Sequence, residues 1–246
     1  MTFRLETANR KETSVATASA LAKRLILAST AALLFIAPAF AQSAEVQEKL
    51  AAVKQSMAEN KQRLMQYQWV ETTQLTLKGD AKPPKQNGCV YGPDGQVEKT
   101  LLTPPQEPSG GRLKRHVVEK KTEEMQDYMQ DVKAVLSMYV PPDPQKMEAA
   151  YAAGKVSLNP MPGAVNLIFT DYAQPGDRMS LTFDTAAHKI RSLSVNTYMG
   201  QTKDAVTLQV QMDSLPDGTN YTQQTVLTAT AKQLVVTTTN GNYQHR

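Results

Sequence analysis

The 246-residue chain is 41% hydrophobic, 20% charged and 6% aromatic, which excludes the low-hydrophobicity, high-charge regime of disorder and leaves enough chain for a sizeable core. A single cysteine excludes an intrachain disulfide framework and any multi-cysteine zinc or iron–sulfur site, and His116, His188 and His245 share no metal-ligand spacing. The net charge of +4 sits mostly in the first 41 residues; beyond them the chain is almost neutral and lacks the basic stripe with interleaved aromatics that nucleic acid requires.

Lys23 and Arg24 precede an apolar run from Leu25 to Ile36, and Pro38-Ala39-Phe40-Ala41 follows. A basic region, a short apolar core and small residues two apart (Ala39, Ala41) are the parts of a secretory signal peptide. The apolar stretch carries Ser29, Thr30 and Pro38 and falls short of the roughly 20 residues of a spanning helix. Residues 1–41 are therefore expected to be a cleaved signal peptide and residues 42–246 a single domain. No cysteine stands at the cleavage point to take a lipid. The expected product is periplasmic or secreted and does not span the membrane after cleavage.

The next stretch, from Ala44 to about Gln66, predicts an amphipathic helix, because Val46, Leu50, Val53, Met57 and Leu64 recur on one face. From Gln68 the period changes to two: Trp69, Glu71, Thr73, Leu75 and Leu77 alternate with Val70, Thr72, Gln74 and Thr76, which predicts a strand. A hairpin is expected from Cys89–Tyr91 and Gln96–Leu102 around Gly92-Pro93-Asp94-Gly95. Pro104 to Gly111 reads as a loop. Val118, Met125, Tyr128, Val132, Val135 and Tyr139 mark a second helix over Val117–Tyr139, ended by Pro141 and Pro142. Asp143-Pro144 then supplies a cap and a first-turn proline for a short helix closed by Gly154.

The remainder predicts strands at Ala164–Tyr172, Arg178–Asp184, His188–Tyr198, Asp204–Asp213, Tyr221–Thr230 and Gln233–Tyr243, joined by short turns and hence antiparallel. Val206, Leu208, Val210 and Met212 give one of these strands an apolar face against a polar one of Thr207, Gln209 and Gln211. Ile190, Leu193 and Val195 break alternation, so a bulge is expected there.

Catalytic signals are sparse. There is no G-x-S-x-G, no phosphate-cradling glycine loop and no calcium-loop series of acids. Cys89 is expected to be buried as a small hydrophobe. Glu71 shares a strand face with Trp69 and Leu75, and is read as a paired or wet-rim carboxylate in preference to a catalytic one. The 11 methionines are read first as core filling, with adaptable apolar ligand contact as the alternative.

Tyr67-Gln68-Trp69-Val70-Glu71-Thr72-Thr73 on the first strand, then Leu181-Thr182-Phe183-Asp184, Ile190-Arg191-Ser192-Leu193, Asp204-Ala205-Val206, Leu215-Pro216-Asp217-Gly218-Thr219 and the Asn242-Tyr243 strand follow one another in a familiar order. In this the chain resembles the periplasmic lipoprotein-carrier superfamily, the LolA/LolB-like fold of outer-membrane lipoprotein sorting. The resemblance implies an α+β fold: an antiparallel incomplete β-barrel, or half-barrel, with helices packed on its concave face around a cavity for acyl chains. Secretion, an amphipathic sheet and the sparse catalytic signals lead to the expectation of a non-catalytic carrier of a lipid or acylated ligand, with no cofactor or metal and with a cell-envelope protein as a further partner. Ligand contacts are expected from Trp69, Leu75, Leu77, Phe183, Val206, Leu208, Val210 and Met212. The alternative is an interaction or sensing module whose concave face is filled by Leu50, Val53, Met57 and Val132, with no small-molecule ligand.

Overall fold

The computed structural model describes residues 37–104 and 112–246. The basic and apolar parts of the expected signal peptide, within residues 1–36, lie outside the described residues. Residues 46–246 form one compact unit, and of the N-terminal unit only residues 37–45 are described.

The described elements run α1 (Ala37–Leu64), β1 (Tyr67–Leu77), β2 (Asp80–Ala81), β3 (Lys85–Tyr91), β4 (Val97–Leu101), α2 (Arg112–Leu136) and α3 (Pro144–Ala152). Strands β5 (Val156–Met161), β6 (Ala164–Thr170), β7 (Arg178–Asp184), β8 (Lys189–Tyr198), β9 (Ala205–Ser214), β10 (Asn220–Ala229) and β11 (Leu234–His245) complete the chain. Every pairing is antiparallel, in the order β4-β3-β1-β11-β10-β9-β8-β7-β6-β5, with β2 paired to β1. The sheet is open, with β4 and β5 at its edges, and the fold is an α+β half-barrel.

The pairing of β1 with β11 joins the two ends of the domain, with Leu75 opposite Val236 and Leu77 opposite Leu234. From β5 to β10 the sheet is a meander, and its short turns follow the sequence punctuation. Phe183 pairs with Ile190 and Thr182 with Ser192, so Arg191 is the extra residue of the expected bulge. Its guanidinium bonds Asp184 at 2.7 and 3.0 Å. The N–H of Ala187 and then Arg191 hold that carboxyl below the usual carboxylate range.

Two elements depart from expectation by omission. Strand β5 was not anticipated, because Pro160 and its largely exposed residues give no alternation; as an edge strand it tolerates both. Strand β2 is only two residues long. Helix α2 begins five residues before the expected Val117 and ends at Leu136. The cap of α3 forms as predicted: the Asp143 carboxylate accepts from the Gln145 N–H at 2.8 Å, Pro144 occupies the first turn, and Gly154 takes a positive φ beyond the end.

One continuous apolar cluster fills the space between the helices and the meander. Val46, Leu50 and Val53 of α1, Tyr128 and Val132 of α2, and Met147 of α3 meet Leu167, Phe169, Leu181, Phe183, Val195, Val206, Leu208 and Leu227. Directional contacts then fix where α1 lies. Asn60 donates to the carbonyl of Asn220 and accepts from its N–H, both at 2.7 Å, and the Ser56 hydroxyl donates to the His188 carbonyl.

A buried polar knot holds the β6–β7 connection. Asp177 is only 3% exposed and accepts from the N–H groups of Tyr172, Ala173 and Gln174 at 2.6, 2.9 and 2.7 Å. It also accepts from the Tyr139 hydroxyl at 2.6 Å, so a carboxylate in the core is satisfied four times.

Candidate functional site

The concave face is not filled uniformly. Over β6 to β10 the helices pack directly on the sheet, and Phe183, Val206, Leu208 and Val210 are buried among them. Beside β1, β3, β4 and β11 a cavity of about 680 Å³ opens. Its walls are Thr73 and Leu75 of β1, Val236 of β11, Leu101 of β4, Met129 of α2, and the segments Lys82–Lys85 and Thr103-Pro104.

Register explains the grouping. Side chains alternate across a strand, so Thr73 and Leu75 share a face. Thr73 pairs with Lys85 and with Thr238, and Leu75 pairs with Val236, which puts Lys85 and Val236 on that same face. Asn87 pairs with Leu101 across the next ladder and brings β4 to the cavity. The loop between β2 and β3 is pinned. The Lys82 N–H donates to the Leu75 carbonyl at 2.7 Å, the Gln74 amide donates to the Lys82 carbonyl, and Pro83-Pro84 restricts the backbone between. Opposite it, the Gln86 N–H donates to the Thr103 hydroxyl at 2.7 Å, and the Leu102 N–H to the Gln86 carbonyl at 2.8 Å. The rim is held by hydrogen bonds of the backbone and of the Gln74 and Thr103 side chains.

The eight residues expected to meet a ligand fall in three places. Leu75 lines the cavity, and Leu77 is half-buried one step along the same face of β1. Phe183, Val206, Leu208 and Val210 lie in the packed cluster, and Met212 is half-buried against it. Trp69 stands apart in an aromatic group. It stacks on Tyr243 with centroids 5.6 Å apart, contacts Tyr91, and donates its indole N–H to the Asn240 side chain at 3.1 Å. A second, more polar cavity of about 530 Å³ is bounded there by Gln68, Trp69, Val70, Gly88, Cys89 and Tyr243, among others.

The cavity also uses residues that the sequence reading did not single out as ligand contacts: Val236, Leu101, Met129 and the Pro83-Pro84 pair. Val236 alternates with Leu234 in a visible strand, but that this strand lies beside β1 is a pairing across the whole domain. Met129 stands at the edge of the α2 stripe, four residues after Met125 and three before Val132; its flexible thioether suits a wall that meets varied apolar shapes.

The polar groups near Trp69 are paired. Glu71 receives Lys99 at 2.7 Å on both carboxylate oxygens, which is the paired arrangement expected of it. Cys89 is buried, and burial followed by the Glu71 charge pushes its thiol up. Burial is also the first cause that raises the hydroxyls of Tyr91, Tyr139, Tyr172 and Tyr243; for Tyr243 the neighbouring Tyr91 and Tyr221 add to it.

These tyrosines set an alkaline limit on stability. Each has a folded pKa above its unfolded value of about 10, so its contribution is complete below pH 10 and is lost as pH rises through the folded values. The urea midpoint should be flat from pH 7 to 8, begin to decline as the unfolded Cys89 thiol titrates, and fall steeply above 10; a midpoint unchanged at pH 11 would contradict this.

Among the described residues, no three His, Cys, Asp or Glu side chains gather in a way that could hold a metal ion, and no helix is long and apolar enough to cross a membrane.

Comparison with known proteins finds no matching family model and no matching curated protein. Two solved structures match over most of the chain's length. A DUF1329 family protein from Desulfovibrio piger is 8% identical, with 81% of this chain and 92% of that one covered and a TM-score of 0.43. An outer membrane lipoprotein-sorting protein domain from Vibrio parahaemolyticus is 10% identical, with 82% and 93% covered and a TM-score of 0.36. At these scores neither likeness bears on function.

Proposed function

We propose that the protein is an exported, non-catalytic carrier that shelters the acyl chain of a lipid or acylated ligand in the cavity between β1, β3, β4, β11 and α2. Residues 1–41 are its cleaved leader, residues 42–246 its single domain, and the periplasm or the exterior its place of work. The cavity itself is the observation that carries this reading. Its volume of about 680 Å³ lies inside the roughly 300–1,000 Å³ range of small-molecule sites. Its walls are mainly aliphatic and proline side chains, and burial of methylene groups is worth roughly 0.8 kcal/mol each, so a chain of ten contributes about 8 kcal/mol before the cost of association.

Of the eight expected contacts, Leu75 supplies direct contact and Leu77 extends the apolar face beside it. Phe183, Val206, Leu208, Val210 and Met212 form the packed body that keeps the concave face in shape, and Trp69 braces the end of β1. The filled half of the sheet also favours a second reading, a protein-interaction module without a small-molecule ligand. Native mass spectrometry of protein purified from the exported fraction separates the two. The carrier reading expects a mass increment of one extractable acyl guest, or stoichiometric uptake of added fatty acid by stripped protein. Protein that is empty and takes up none belongs to the interaction module.

A further inference from the structure

The polar residues of the cavity wall are unequal in charge. Two lysines, Lys82 and Lys85, line it, and no acidic residue does. Both are exposed, and among the described residues neither ammonium has a carboxylate within ion-pair distance, unlike Lys49, Lys54, Lys99 and Lys155. Lys85 pairs with Thr73 across the β1–β3 ladder, and Lys82 is anchored through its own N–H to Leu75, so both leave the backbone beside wall residues of the cavity. A lysine placed there lays its methylene stem along apolar surface and keeps its charge at the water boundary. Volume limits the guest as well. At about 30 Å³ for a group the size of a water molecule, 680 Å³ holds roughly twenty such groups, which suits one long acyl chain and not two.

Resting on the carrier reading above, we infer that the guest is a single-chain anionic amphiphile. Its chain fills the space between Leu75, Met129 and Val236, and its anionic head sits at the rim between Lys82 and Lys85. A neutral head would leave both ammonium groups in water, with nothing gained. A carboxylate or phosphodiester head gains two partners at the rim, and it does so without burying an unpaired charge.

The test is a set of calorimetric titrations of the stripped protein with palmitate, palmitoyl-lysophosphatidylglycerol and hexadecanol, and with vesicles of dipalmitoyl-phosphatidylglycerol. At least one anionic single-chain probe should bind about tenfold more tightly than hexadecanol. This preference should shrink in 1 M salt, and it should vanish in the Lys82→Gln/Lys85→Gln variant while hexadecanol affinity holds. Both positions are exposed, so the variant keeps its fold. The order of palmitate and the lysolipid then identifies the head as carboxylate or phosphate. Equal binding of hexadecanol and the anionic probes overturns the inference and leaves the carrier reading intact, as does a preference that survives the double substitution. Preferential uptake of the two-chain lipid overturns the single-chain assignment. Failure of every probe to bind overturns both.

Discussion

Asp177→Ala should lower the free energy of unfolding by about 3–5 kcal/mol, the largest stability loss expected of any single substitution outside the apolar core. The carboxylate is the shared acceptor for three consecutive backbone N–H groups and for the buried Tyr139 hydroxyl. Alanine leaves the buried Tyr172 N–H and Tyr139 hydroxyl, and the half-buried Ala173 and Gln174 N–H groups, without this acceptor, and each unsatisfied buried donor costs about 1–3 kcal/mol. The Tyr139 hydroxyl keeps Thr197 at 2.8 Å, so the total falls short of four full losses. Asp177→Asn keeps the shape and one accepting oxygen but turns an amide N–H₂ toward donors, and its loss should lie between wild type and alanine. Urea denaturation of the three proteins measures this directly; a loss below 1 kcal/mol for alanine would mean that the knot does not brace the β6–β7 connection.

Val236→Trp should reduce acyl-chain uptake at least a hundredfold and change the unfolding midpoint little, because the added ring grows into cavity space from a half-buried strand position. Met129→Trp, reaching in from α2, should do the same from the opposite wall. Val53→Ala is the contrasting case. That side chain is fully buried in the packed half, so its loss should cost about 1–3 kcal/mol of stability and leave acyl affinity within threefold of wild type. Uptake by both tryptophan variants at wild-type affinity, measured by displacement of a fluorescent fatty acid, would place the guest elsewhere.

Much of the architecture is legible in the chain because it is written in local signals. The period-two run from Trp69 to Leu77, the Asp143-Pro144 cap, the alternation from Val206 to Met212 and the skipped residue at Arg191 each follow from sterics or hydrogen bonding within a few positions. Strand β5 carries no such signal, because an exposed edge imposes no burial pattern, and Pro160 there argues against a strand only where a ladder partner is needed on both sides.

The cavity is harder to read for a different reason. Apolar alternation marks a face as dry, but it does not say whether protein or guest keeps it dry. Val206, Leu208 and Val210 carry the clearest pattern in the sequence, and helices cover them. Leu75 carries an equivalent pattern beside open space. Part of the difference lies in the pairing of β1 with β11, which is a long-range fact. Glu71 is similar: its face was visible, but its partner Lys99 lies two strands away, with β3 between them.

The account turns on a single division of the concave face, open over β1, β3, β4 and β11 and closed over the meander. Methyl-resolved NMR of the protein during palmitate titration observes both halves at once. The account predicts saturable shifts, and contacts to the acyl chain, at the methyl groups of Leu75, Leu101, Met129 and Val236, with Leu181, Val206, Leu208 and Val210 unmoved. Contacts from palmitate to Val206, Leu208 and Val210, or no saturable shift at any of these methyl groups, would contradict it.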